Sequence, residues 1–245
     1  MRGGGLRAGF EDLVALILPA RCLICDTSAG HLRQLLCEAC WSGMPRLAEP
    51  LCRVCGVPRP GLGAVCAACR AHSRAFRCAR AVAPYEAGAQ TLIQRLKYQS
   101  LPSAASPLTR LLVERDPFAG RRYDWVVAVP LSVARLRARG FNQAALLARR
   151  YAGERGLRYL SRALERAGST VSQAASGRGE RVRNVRGVFR VLHPRLVDGR
   201  RVLLVDDVVT TASTADAGAR ALRDAGAVSV DVLAVARTGQ GEYPG

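Results

Sequence analysis

The chain has 245 residues, 49% of them hydrophobic, with a mean hydropathy of +0.04 and a formal charge of +18 from 37 basic against 19 acidic side chains. That length holds one or two domains with a sizeable core, and that balance excludes a wholly disordered chain. No run reaches the roughly 18 apolar residues that cross a bilayer, which excludes insertion as a membrane helix.

The first apolar stretch, Leu13 to Pro19, is short, and Glu11 and Asp12 stand where a signal peptide would begin its apolar segment. It reads as an amphipathic opening helix with Phe10, Leu13, Val14 and Ile17 on one side, and the protein is expected in the cytoplasm.

All nine cysteines lie before residue 79, and eight of them form four Cys-x-x-Cys knuckles: Cys22 and Cys25, Cys37 and Cys40, Cys52 and Cys55, Cys66 and Cys69. Two thiolates three positions apart in a tight turn grip one metal ion, and two knuckles complete a tetrahedral four-cysteine site. Secreted disulfide frameworks rarely repeat one spacing four times, so the pattern predicts two structural Zn2+ ions. Pairing in sequence order puts the first four cysteines on one zinc and the last four on the other; interleaved pairing fits the spacing as well. Closed sites of this kind have no open position for catalysis, and they supply the stability that about 80 residues poor in large side chains cannot build from a core. Cys78 reads as a small buried residue, and His31 and His72 as bystanders. A boundary is expected here, with residues 1–79 forming the opening helix and double ribbon and residues 80–245 a second domain.

Beyond residue 80 apolar runs alternate with helical stretches. Ala81 to Tyr85 predicts a strand, Ala89 to Tyr98 and Pro107 to Val113 helices, Trp125 to Val129 a strand, and Asn142 to Arg155 a helix. Arg201 to Val205 predicts a strand, Thr214 to Ala225 a helix stopped by Gly226, and Val228 to Ala236 a closing strand. Uninterrupted Val/Leu strands between helices give an α/β fold with a mostly parallel sheet covered on both faces. Ligands in such folds bind at the carboxyl ends of the strands, which directs attention to the segments after Val129 and Val205.

After Val205 comes Asp206-Asp207-Val208-Val209-Thr210-Thr211-Ala212-Ser213-Thr214. Paired carboxylates at a strand end suit ribose hydroxyls or Mg2+, and a hydroxyl-rich loop entering a helix offers N–H and O–H donors to a phosphate. The alternative, in which the acids merely end the strand and Thr214 caps the helix, accounts for one hydroxyl but not for four in five residues.

The segment VLLVDDVVTTAST resembles the phosphoribosyl diphosphate (PRPP) signature of type I phosphoribosyltransferases. With the four knuckles, IQRLKY (93–98), VPLSVARLRARGFNQA (129–144) and ERVRNVRGVF (180–189), the chain is similar over nearly its whole length to the ComF family, in which a double zinc ribbon precedes a phosphoribosyltransferase domain. The resemblance implies Asp206 and Asp207 at the ribose hydroxyls and Mg2+. It implies Thr210, Thr211, Ala212, Ser213 and Thr214 around the 5-phosphate. It also implies a pyrophosphate loop from Pro130 to Gly140 with Arg137 and Arg139 on the diphosphate, Lys97 as a further phosphate contact, and a basic hood from Arg166 to Asn184 bearing Thr170, Gln173, Arg181 and Asn184. Two positions depart from the family pattern: Ala212 replaces a usual Gly, and Ser176 replaces an apolar residue. If Ala212 takes positive φ, its methyl costs on the order of 1 kcal/mol.

Between Arg135 and Arg201, 17 arginines face four acids, Glu154, Glu165, Glu180 and Asp198, a local excess of +13. Such a field attracts phosphates, either of a small substrate or of a nucleic-acid backbone. The family's link to competence implies single-stranded DNA, or DNA-processing proteins, as partners of the ribbons and hood. The aromatic content of 5% offers such a strand few stacking platforms.

Overall fold

The computed structural model describes residues 21–29, 35–47, 49–59, 64–166 and 188–239. The expected opening helix, His31, and the hood residues Thr170, Gln173, Ser176, Arg181 and Asn184 lie outside the described residues.

The described residues within 21–43 and within 51–72 form two copies of one unit. In the first copy Cys22 N–H donates to the Thr27 carbonyl (2.8 Å) and Asp26 N–H to the Cys22 carbonyl (3.0 Å). In the second, Cys52 N–H donates to Val57 (2.9 Å) and Gly56 N–H to Cys52 (2.9 Å). An antiparallel bridge flanks each turn, Arg21 with Ser28 and Leu51 with Pro58. The other knuckle of each copy opens a five-residue helix, α1 (Glu38–Ser42) after Cys37 and α2 (Ala67–Ala71) after Cys66.

Then come, in chain order, β1 (Cys78–Pro84), α3 (Ala87–Tyr98), α4 (Ala105–Glu114), β2 (Trp125–Ala128), α5 (Val133–Arg139) and α6 (Gln143–Glu154). They continue with β3 (Leu164–Arg166), β4 (Phe189–Val191), α7 (Pro194–Val197), β5 (Arg201–Val209), α8 (Ser213–Asp224) and β6 (Ser229–Arg237). The strands β1, β6, β5 and β2 form, in that order, a four-stranded sheet in which every pairing is parallel, and β3 and β4 form a separate antiparallel pair. The alternation of side chains along β5 sends Leu203 and Val205 to one face, against Leu92, Leu108 and Leu147, and Val202 and Leu204 to the other, against Ala219 and Leu222. Each of these large side chains is fully enclosed, worth about 1.5–3 kcal/mol apiece in burial. The two ribbons join opposite faces: Cys22 and Met44 pack into the first core, Cys52, Cys55 and Val57 into the second.

The second ribbon lies directly on β1. Ala79 N–H donates to the Val54 carbonyl (2.7 Å), and Arg80 reaches the carbonyls of Cys52 (3.3 Å) and Arg53 (3.2 Å). This contact explains Gly56: a Cβ there would lie 2.5 Å from the Ala79 carbonyl oxygen, and the residue has φ +71°. Asp26, its counterpart in the first copy, takes φ +62° as well.

Two expectations are corrected. The strand expected to end at Val205 runs on to Val209, because β6 continues to pair with it through Arg237. The Pro130 to Gly140 segment is not a loop throughout, since Ser132 caps a helix that Gly140 ends with φ +77°. The β3–β4 pair had no forecast, being only three residues on each side.

Candidate functional site

The crevice arises from unequal strand lengths. β2 pairs with β5 only as far as Ala128 opposite Val205, and then the chain turns away through Pro130 into α5. The last residues of β5, from Asp206 to Val209, are therefore laddered on the β6 side alone, at the carboxyl edge of the sheet.

Asp207 points to the face covered by α3 and accepts an ion pair from Lys97 Nζ at 3.0 Å, with side-chain exposures of 12% and 16%. Lys97, expected at a phosphate, is paired here with the second acid. Asp206 accepts the Asp207 N–H on Oδ1 (2.8 Å) and stays partly exposed as a residue. Burial of its carboxyl, followed by the neighbouring Asp207 charge, pushes Asp206 well above the usual carboxylate range. Lys97 neutralises only one of the two adjacent acids, so a further cation brought to the pair is favoured.

The chain then turns through Thr210 to Ala212 into α8. Thr210, Thr211, Ser213 and Thr214 are exposed, with Thr211 Oγ1 and Ser213 Oγ 2.9 Å apart and the Ser213 N–H directed to Thr211 Oγ1 (3.4 Å). Ala212 occupies the N-cap position with φ +63°, ψ +8° and no capping side chain. Thr214 is the second residue of the helix and does not cap it. A 12-residue helix therefore presents an uncapped, partly positive N-terminus behind a rim of hydroxyls. The strain expected at Ala212 is present, and the residue is also buried, at 3% exposure.

On the far side of the crevice, α5 carries Arg137, exposed, and Arg139, whose guanidinium lies 5.3 Å from the centre of the Tyr98 ring. The end of α3 thus touches both sides, Lys97 pairing with Asp207 on β5 and Tyr98 lying against Arg139 on α5. The string from Arg139 to Gln143 has a structural explanation. Gly140 supplies the left-handed end of α5, and Asn142 clamps two elements by donating Nδ2–H to the Val129 carbonyl (3.0 Å) and accepting the Ala145 N–H (3.4 Å). Beneath this segment lies a cavity of about 340 Å³ lined by Pro130, Asn142, Tyr159, Arg162 and Arg166, among others. The sequence carried no sign of it, because the β3 side of its wall comes from the unforeseen pair.

The eight knuckle cysteines gather as Cys22, Cys25, Cys37 and Cys40, and as Cys52, Cys55, Cys66 and Cys69, each set with its sulfurs within 4.8 Å of one another. Interleaved pairing is thereby overturned. Tetrahedral zinc at about 2.3 Å from each sulfur needs sulfurs about 3.8 Å apart, and Cys25–Cys37 and Cys55–Cys66 stand at 3.6 and 3.7 Å. Backbone N–H groups of Ile24 and Cys66 already point at the sulfurs of Cys22 (3.4 Å) and Cys52 (3.3 Å). Burial raises the Cys52 thiol, but the surrounding backbone donors outweigh it and bring it down to about 6. The donor set fits structural Zn2+. Cys78 is buried outside both clusters, with Sγ 3.5 Å from the Arg53 carbonyl, and His72 is exposed outside them. Among the described residues no helix is long and apolar enough to cross a membrane.

Residues 13–88 match the family model of a double zinc ribbon domain, and residues 136–245 that of a phosphoribosyl transferase domain. The chain is 33% identical over 230 residues to the DNA utilization protein YhgH of Escherichia coli K12, spanning 91% of this chain and 99% of that one. It is 27% identical over 223 residues to competence protein F of Haemophilus influenzae, spanning 89% and 96%. Among solved structures, the glutamine PRPP amidotransferase of B. subtilis, complexed with ADP and GMP, matches with a TM-score of 0.40 and 24% identity over 54% of this chain and 26% of that one. With its two four-cysteine clusters, its parallel sheet, and relatives aligned from end to end, the chain belongs to the ComF family, that of YhgH and competence protein F.

Proposed function

We propose that the protein binds PRPP with Mg2+ in the crevice at the end of β5 and transfers its phosphoribosyl group to an acceptor. One observation carries this reading: paired acids at the strand end lead into an exposed hydroxyl loop and an uncapped helix N-terminus. The 5-phosphate sits at Thr210, Thr211, Ser213 and Thr214 with the first N–H groups of α8, where the helix dipole favours an anion. Asp206 and Asp207 would accept the ribose hydroxyls and hold Mg2+, with Lys97 paired to Asp207 beside them. Arg137 and Arg139 face the diphosphate, and Gln173, Arg181 and Asn184 are further contacts of the same ligand.

Departure of diphosphate from C1 leaves negative charge on the leaving group and positive charge on the ribose ring. Mg2+, when bound, neutralises part of the former. Arg137 and Arg139 would stabilise the same oxygens, while the two acids at the ribose hydroxyls would favour the latter. No nucleophilic side chain is required.

Isothermal titration with Mg2+ and PRPP tests the binding. We expect heat from the native protein and its loss in the Asp206→Asn/Asp207→Asn double variant. Absence of heat from the native protein, or equal heat from both, refutes it.

The names of the relatives, a DNA utilization protein and a competence protein, favour a second role in holding single-stranded DNA. Tyr98, 72% exposed and backed by Arg139, offers one stacking surface amid the basic excess. Binding to a labelled oligonucleotide that weakens steeply with salt supports this role, and salt-independent binding contradicts it.

A further inference from the structure

Arg237, the last residue of β6, is 2% exposed, and its Nε and Nη2 are buried with no hydrogen-bond partner. A guanidinium cannot shed its proton, so an unpaired buried one is costly unless negative charge faces it. Its side chain leaves the sheet toward the second ribbon, where Nη1–H donates to the Cys55 carbonyl (2.7 Å). The negative groups that act on it are the sulfurs of Cys55, Cys66, Cys52 and Cys69. Arg74 reaches the same cluster through Cys69 and likewise has a buried Nε without a partner. Four thiolates around one Zn2+ carry a net charge of about −2, and these two arginines balance it. The first cluster is the more open to solvent, with one buried cysteine against three in the second. Cys25 there is exposed and pairs with the Thr27 hydroxyl (3.0 Å).

Arg237 also belongs to the phosphate loop's foundation. It is the register partner of Val209, the residue before Thr210, and Thr238 N–H donates to the Val209 carbonyl (3.2 Å). On the other side of the loop, Asp216 in the first turn of α8 accepts the Ala75 N–H (2.7 Å) from the segment just after the second ribbon. The second ribbon is thus linked to both flanks of the 210–214 loop, through Arg237 to Val209 and through the segment that follows it to Asp216. The first ribbon instead meets the Arg115 side chain at Met44 and Pro45, on the other face.

We propose that Arg237 is the counter-cation of the second zinc–tetrathiolate centre, and that through it zinc at Cys52, Cys55, Cys66 and Cys69 sets the order of the 210–214 loop. The first zinc has no such effect. The coupling to ligand rests on the PRPP reading above, whereas the zinc and loop-order parts stand without it.

The test uses the full-length protein loaded with two zinc ions, with Arg237→Met and Arg237→Lys compared to wild type. Zinc release to a competing chelator is followed by colorimetry, the sulfur-to-metal charge-transfer bands of the Co2+-substituted protein by absorption, and the peptide spanning 206–216 by hydrogen exchange. We expect Arg237→Met to release one of its two zincs about 10- to 100-fold faster, the range for loss of a supporting group behind metal ligands. We also expect its Co2+ bands to shift and the 206–216 peptide to exchange faster, with Arg237→Lys close to wild type on all three. Unchanged release and bands in Arg237→Met overturn the counter-cation role. Faster release with unchanged exchange overturns the coupling. If Arg237→Met fails to fold, single-cluster variants decide: Cys25→Ser, which disrupts the first zinc site, must leave 206–216 protected, Cys55→Ser, which disrupts the second, must expose it, and equal exposure in both or in neither refutes the coupling. PRPP titration of the same samples is read separately, so that a protein that never binds PRPP fails the functional reading and leaves these outcomes intact.

Discussion

Lys97→Met removes the cation paired with Asp207 in the crevice, and the cost can be worked from the geometry. At 3.0 Å the pair's attraction is about 5 kcal/mol for an effective dielectric constant near 20, but both groups gave up water to form it. Exposed pairs are worth about 0.2–1 kcal/mol, and stripping one partner from a fully buried pair costs about 3–5 kcal/mol. With 16% and 12% of the two side chains still exposed, the expected loss lies between these, at about 2–3 kcal/mol. For a chain of this length that is a fall in Tm of roughly 5–10 °C. Two additions should reverse it. Millimolar Mg2+ supplies the missing cation, and Asp207→Asn in the same chain removes the stranded anion, so each should recover most of the loss in a thermal melt. A Lys97→Met protein that melts within about 2 °C of wild type, or that Mg2+ leaves unmoved, would refute the view that these acids form a cation-seeking pair.

Ala212→Gly relieves about 1–2 kcal/mol of left-handed strain but forfeits about 0.8 kcal/mol of methyl burial and gains chain entropy when unfolded. Chemical denaturation should therefore shift by less than about 1 kcal/mol, while PRPP affinity rises; weaker binding by the glycine variant would contradict a close backbone approach to phosphate. Asp206 has a folded-state pKa above its unfolded one, so the stability it contributes is complete below about pH 4 and is lost as pH rises through the folded value. Asp206→Asn should accordingly match wild type near pH 4 and be the more stable at about pH 7 without Mg2+, a difference that a series of urea titrations would expose as present or absent. Elemental analysis of the purified protein should find two zincs per chain, and Cys55→Ser should lower that count to one.

The strands, the helices and the Asp-Asp loop were legible because each advertises itself locally: Leu203 to Val205 as an apolar run, Thr210 to Thr214 as hydroxyls entering a helix. The cysteine pairing was not, since identical spacing permits two arrangements and only the packing of the ribbons on opposite sheet faces selects one. The extra length of β5 was hidden because Asp206 and Asp207 look like a terminator, although β6 holds them in the ladder. The β3–β4 pair, Leu164 with Val191 and Arg166 with Phe189, joins residues over 20 positions apart through three-residue segments too short to show a period. Arg237 left no signal at all in a chain crowded with arginine; only its burial beside four sulfurs sets it apart. Lys97 stands out in the sequence as its single lysine, yet its pairing with Asp207 was not legible, because α3 delivers it to the strand end from within the core.

The most direct test is a crystal structure of the protein grown with Mg2+ and PRPP. The account predicts the 5-phosphate at the first turn of α8, within hydrogen-bond distance of the hydroxyls from Thr210 to Thr214, and the ribose hydroxyls at Asp206 and Asp207. A phosphate bound elsewhere, with Lys97 still closed on Asp207 and the loop empty, would contradict it.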